Sequence, residues 1–167
     1  MSQRTFIGIA SALLFHLLVP PAEAQGKDSG DACRSLIVGG YLSTIKDNGG
    51  NIAGRSLLSF DEDGAVDVID SDQFSGTFDS AFSAQKGRYR CTGRRSVSAY
   101  TLDFGFSGDG DIGLEEYRFD IGPDGSLSGD LVLTILTPLQ TCNPFDPATC
   151  NVEAVFEFTL TAVPMPD

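Results

Sequence analysis

From residue 36 onward, apolar and polar residues alternate in short runs broken by Gly, Asp and Asn. A period of two marks half-buried β-strands, and the turn residues between runs mark hairpins. The first strand is read over 36–45, with Asp47-Asn48-Gly49-Gly50 turning the chain out of it. The second covers 52–60, with Ile52, Leu58 and Phe60 on one face and Arg55 and Leu57 on the other. Asp63-Gly64 makes a tight turn into 65–70. Further strands follow at 87–93, 96–106, 115–121, 127–136 and 152–163. In the strand at 115–121, Tyr117, Phe119 and Ile121 oppose Glu116, Arg118 and Asp120. In the strand at 96–106, Tyr100, Leu102, Phe104 and Phe106 share one face, and Val97, Ala99, Thr101 and Asp103 share the other. No long helix is expected. About eight short strands in sequence predict an all-β domain, an antiparallel up-and-down barrel that leaves no bare edge. A β-sandwich is the alternative.

The opening of the chain follows different rules. Arg4 precedes an apolar stretch from Phe6 to Val19, Pro20-Pro21 break it, and Ala22-Glu23-Ala24 places small residues where a signal peptidase reads. Residues 1–24 are therefore read as a cleaved signal peptide, 25–32 as a polar leader and 33–167 as a single barrel domain. The apolar run is short of the roughly 20 residues that a membrane-spanning helix needs, and no membrane span is expected. The expected location is secreted or periplasmic. Cleavage removes one base (Arg4) and one acid (Glu23), so the formal charge stays at −12. A surface this acidic repels phosphate backbones, which argues against nucleic-acid binding.

Cleavage also removes His16, the sole histidine. No Ser-His-Asp or Cys-His nucleophile system can then form, nor a zinc site that uses His. All four cysteines remain, and in an exported chain an even number reads as disulfides. Cys142 to Cys150 encloses two prolines and an Asn-Pro turn, which favours a local bridge. Cys33 with Cys91 follows by elimination. A four-thiolate metal site lacks the close Cys pairs it would need.

Gly39-Gly40-Tyr41, leading into an eight-strand meander, resembles the Gly-x-aromatic opening of lipocalin-like (calycin) barrels, with Tyr41 where a tryptophan is usual. The general layout is similar to allene oxide cyclase-like secreted barrels. The resemblance implies a barrel with a ligand-sized interior and carries no catalytic residue across.

The candidate ligand-lining set is Tyr41, Phe60, Phe74, Phe78, Phe82, Tyr100, Phe104, Phe119, Phe156 and Phe158. An eight-stranded barrel is just wide enough to fill with side chains or to hold one small ligand, and a filled core ranks slightly ahead. Phe74, Phe78 and Phe82 fall in the one connection that breaks the meander. An ordinary packed connection ranks ahead of a lid over one barrel mouth.

Other chemistry is weaker. The acidic turns Asp61-Glu62-Asp63-Gly64 and Asp109-Gly110-Asp111 lack the spaced ligands of a calcium loop. Glu115/Glu116 and Glu153/Glu157 offer carboxyl pairs for glycoside cleavage, but Glu116, Glu153 and Glu157 fall on polar faces. Lys86, Arg88 and Arg90 form a basic stripe expected to pair with acids on neighbouring strands. No metal or cofactor is implied and no catalytic residue is assigned.

Three functional readings follow, in this order. The first is a binding barrel for a small apolar ligand. The second is a non-catalytic structural or interaction barrel, such as an inhibitor of a secreted enzyme, with the Cys142 to Cys150 loop meeting a secreted protein partner. The third is a cyclase-type enzyme without His that uses Arg55, Asp103 or Tyr100.

Overall fold

A computed structural model describes residues 26–71, 82–105 and 110–166. The proposed signal peptide, Phe74 and Phe78 lie outside these residues. Eight antiparallel strands close into a barrel in sequence order: β1 (Gly39–Lys46), β2 (Ile52–Phe60), β3 (Ala65–Asp70), β4 (Gln85–Cys91), β5 (Ser96–Gly105), β6 (Asp111–Ile121), β7 (Leu127–Thr137) and β8 (Asn151–Pro164). Pairing of β1 with β8, from Tyr41 opposite Pro164 to Lys46 opposite Thr159, completes the closure.

The turns explain why a meander forms. Asp61-Glu62-Asp63-Gly64 closes with the Gly64 amide donating to the Asp61 carbonyl, and Gly64 takes a positive φ of 88°. Asp63 Oδ1 accepts from the Ala65 amide, so this acid serves the turn itself. The β6–β7 turn repeats the arrangement. Gly125 has φ 80°, its amide donates to Gly122, and Asp124 Oδ1 accepts from the Ser126 amide. Only Gly adopts such angles without strain, which is what fixes these hairpins locally.

One feature departs from the meander. The chain from Gly26 to Ile37 is an α-helix, α1, and β1 begins only at Gly39, so Leu36 and Ile37 belong to the helix rather than to a strand. Cys33 and Ile37 are fully buried, and Cys33 is bonded to Cys91 at the end of β4. The Tyr41 hydroxyl donates to the Leu36 carbonyl at 3.2 Å. The helix is therefore fastened to the barrel end where β1 starts and β4 finishes. The second disulfide, Cys142–Cys150, closes the β7–β8 connection at the opposite end.

Beside that helix the barrel interior is filled. Phe60 sits at the centre, in edge-to-face contact with Tyr41 (5.8 Å between ring centroids), Tyr89 (5.3 Å) and Phe119 (6.1 Å). Val66, Val97, Ile121, Leu127 and Leu160 complete this layer. Tyr89 is satisfied by donating to the Asp61 carbonyl at 2.7 Å. Such ring pairs add to the area they bury, and this layer is the main apolar core.

The basic stripe is outside. Lys86 pairs with Asp67 of β3 at 2.6 Å, and Arg88 donates to the Asp63 carbonyl. Both partners of the ion pair are well exposed, so it adds little stability.

A two-faced cavity in the open half of the barrel

The other half of the barrel, toward the end where β1 finishes and β2 begins, holds a cavity of about 300 Å³. Its two sides differ in chemistry. Ile45 of β1, Leu131, Leu133 and Ile135 of β7, and Phe156 and Phe158 of β8 make an apolar wall, with Phe82 from the chain leading into β4. Opposite stand Asp70 of β3, Gln85 of β4, Asp103 of β5, and Asp111 and Glu115 of β6, with Arg55 of β2 also lining the cavity. Glu115 is only 3% exposed.

These polar groups form one connected network. Tyr117 donates to Gln85 Oε1 at 3.0 Å, and Gln85 Nε2 donates to Asp70 Oδ2 at 2.6 Å. Thr101 Oγ1 lies 2.8 Å from Glu115 Oε2 and 3.0 Å from Gln85 Oε1. Asp103 and Glu115 are hydrogen-bonded to each other through their side chains. Two ionised carboxylates are acceptors only, so this bond requires a proton between them. Of the two, Glu115 is raised the more strongly.

Burial raises Glu115 well above the usual carboxyl range, and the hydrogen bond to Asp103 and the Asp103 charge raise it further. Burial also raises Asp103, opposed by the hydrogen bond with Glu115. Tyr117 is pushed well above its ordinary value, chiefly by burial. Charged forms are disfavoured in the barrel because they lose water without gaining a cation. Gly113 makes room for the pair. A Cβ there would lie 2.7 Å from Asp103 Oδ1, so the carboxyl rests over the glycine backbone.

The pair sets a pH dependence. In the folded state it holds its proton more tightly than in the unfolded chain, so folding takes up protons between the ordinary carboxyl range and the raised folded values. Its stabilising contribution is complete below the ordinary range and is lost as pH rises through the folded values. Thermal midpoints measured from acid toward neutral pH are expected to fall over this window. Glu115→Gln keeps a donor to Asp103 and an acceptor for Thr101, and should flatten the slope. Asp47 and Asp124, lowered by their turn hydrogen bonds, act only below the ordinary range and in the opposite sense.

The expected lining residues divide four ways. Phe82, Phe156 and Phe158 line the cavity, whereas Tyr41, Phe60 and Phe119 belong to the filled half. Tyr100 and Phe104 are turned outward, 36% and 46% exposed, and Tyr100 meets Phe145 of the Cys142–Cys150 loop at 5.2 Å. Of the three residues named for an enzyme, Arg55 and Asp103 line the cavity and Tyr100 does not. The expectation of a filled core holds for one half of the barrel only. The lid expectation for Phe74 and Phe78 lies outside the described residues. Glu116, Glu153 and Glu157 are exposed, as their faces predict.

Gln85 and Asp70 are the site residues that sequence reasoning passed over, and Glu115 enters it only as a partner of Glu116. The signal for Glu115 is its phase, since it lies two residues before Tyr117 on the apolar face of the same strand. No protein-family model matches the chain, and searches of curated proteins and of solved structures give no significant match.

Proposed function

We propose that this barrel is an exported binding protein that takes a small, largely apolar ligand into its open half. The observation that carries the reading is the cavity itself. Its volume of about 300 Å³ lies at the lower bound of small-molecule sites, and its apolar wall faces a few convergent polar groups. The apolar side supplies burial, and the network from Tyr117 to Asp70 fixes orientation. Two disulfides and the leader-like first 24 residues support export, with Gln25 as the mature N-terminus. The intact mass of secreted material checks that terminus. The eight-stranded closed architecture is the one lipocalin-like barrels use, and the Gly39-Gly40-Tyr41 opening agrees with it.

Uptake of 2-naphthylmethanol, a neutral fluorescent probe, tests the reading. The protein has no tryptophan, so probe emission is read against a low background. A blue-shifted, saturable signal is expected. Ile135→Phe places a ring in the cavity wall without adding indole emission and should weaken uptake by about tenfold, because a methylene-sized misfit in an apolar pocket costs about 1–3 kcal/mol. Phe104→Ser, on the outer face, should leave uptake unchanged. Failure of the unmodified protein to bind the probe would remove this reading.

A second reading, proton transfer to a bound ligand, is favoured by one observation: a buried Glu115 that lines the cavity together with Asp103, its carboxyl raised well above the usual range. Perturbed carboxyl pairs in clefts are a common setting for acid–base chemistry. Deuterium gained by a native ligand recovered from protein in heavy water would support it. Unlabelled ligand would remove it.

A further inference from the structure

We infer that the ligand of this cavity is an amphiphilic organic cation, an apolar body carrying an ammonium group that docks on the Asp103–Glu115 pair. The inference rests on the binding reading above and narrows it to one class of ligand.

The argument is one of charge and geometry. Among the described lining residues, four carboxyl groups (Asp70, Asp103, Asp111 and Glu115) stand against one cationic side chain, Arg55. The acids stand together, on β3, β5 and β6, facing the apolar wall of β7 and β8 across the cavity. An amphiphile lying across this space places its body and its charged end on surfaces of matching chemistry. An anion in the same pose would meet the carboxyls, within a chain of net charge −12. A neutral ligand would gain the wall but leave the pair sharing its proton.

Ammonium is the missing partner for this pair. Asp103 and Glu115 are buried carboxyls raised chiefly by that burial, and among the described residues neither makes an ion pair. The titratable and charged groups that face Glu115 are Asp103 of β5, Asp70 of β3, Asp111 and Tyr117 of β6, and Arg55 across the cavity. An arriving ammonium group supplies the missing positive charge, and the shared proton leaves to solvent as the cation docks. Only a carboxyl O–H bond breaks, its proton passing to water or a buffer base, and no bond forms between protein and ligand. A paired, hydrogen-bonded cation is one way in which a buried carboxylate is stabilised.

Three matched probes test the inference: 2-naphthylmethanol, 2-naphthylmethylammonium and 2-naphthoate. The ammonium is expected to bind about tenfold tighter than the alcohol near neutral pH, and 2-naphthoate more weakly than either. Ammonium affinity should rise with pH from about 5 to 8 as the pair gives up its proton more readily, while alcohol affinity stays level or falls. Asp103→Asn/Glu115→Gln should reduce the ammonium preference to about twofold or less. Should this double variant fail to fold, titration of the unmodified protein in two buffers of different ionisation enthalpy gives the same answer. Ammonium binding should release a proton and alcohol binding should not. Alcohol binding without ammonium preference overturns the inference and leaves the binding reading intact. A preference that survives the double substitution, or that comes without proton release, also overturns it. Binding of none of the three removes both.

Discussion

Phe60→Ala is expected to destabilise the barrel by about 3–5 kcal/mol, the range for deleting a fully buried aromatic ring. Phe60 is 1% exposed and touches three other rings, so its removal leaves a cavity lined by side chains on β1, β4 and β6 that rigid strands cannot collapse into. Small domains are stable by only about 5–15 kcal/mol in total, so the variant should unfold at much lower denaturant. Phe158→Ala provides the comparison. Phe158 is half-buried and lines the cavity, where one side of the ring has no packed neighbour. Its loss should cost about 1–2 kcal/mol, since less contact is given up. Denaturant midpoints of the two variants measure the difference between the filled and open halves. Equal costs would mean that the two halves are packed alike.

The second large effect is expected at Cys33–Cys91. This bridge spans 58 residues of sequence, and chain-entropy arguments give about 4 kcal/mol for a loop of that size. Cys142–Cys150 spans only eight and should contribute about 2.5 kcal/mol by the same reasoning. The difference has a structural counterpart. Cys33 ties the middle of α1 to the end of β4, so Cys33→Ala/Cys91→Ala should also release the helix from the barrel up to its junction with β1. Amide exchange in α1 should approach unprotected rates while strands β5 to β7 remain protected. Cys142→Ala/Cys150→Ala should leave α1 protected. A loss below about 1 kcal/mol from breaking Cys33–Cys91 would show that the helix and the barrel are joined by packing alone.

Both effects concern the closed half, which keeps the open half in shape. The strands that carry Phe60, Tyr89 and Phe119 at one end carry Arg55, Gln85 and Glu115 toward the other. A ligand site built on strands that are locked one layer below holds its carboxyls in place with little room to relax. Such rigidity is what keeps Glu115 out of water and its proton on the pair.

The local signals in the chain decided the strands and the hairpins. Asp-Gly turns require positive φ at a single residue, and period-two alternation says where each strand runs, because both are properties of a few neighbouring residues. Hence 65–70 is a strand at the expected bounds, and both disulfides join the expected cysteines. α1 escaped because its sequence, with Gly26, Ser29 and Gly30, has weak helix propensity, and it takes its stability from the tie at Cys33 and the burial of Ile37.

Which face of β5 turns inward was decided only by the closed barrel. By hydrophobicity alone, Tyr100, Leu102 and Phe104 outrank Ala99, Thr101 and Asp103 for the interior. Register overrules this. Ala99 lies opposite both Tyr89 and Tyr117, and Thr101 opposite both Gly87 and Glu115. Residues paired across strands share a face, so once the rings of β4 and β6 enter the core, Ala99, Thr101 and Asp103 must enter with them. Tyr100 pairs with Arg88 and Glu116 and goes outward with them. The same rule brings Glu115 into the barrel beside Asp103, which stands on the preceding strand of the same hairpin. The acid pair is thus a product of strand register and barrel closure, which the hydrophobic pattern of β5 by itself does not encode.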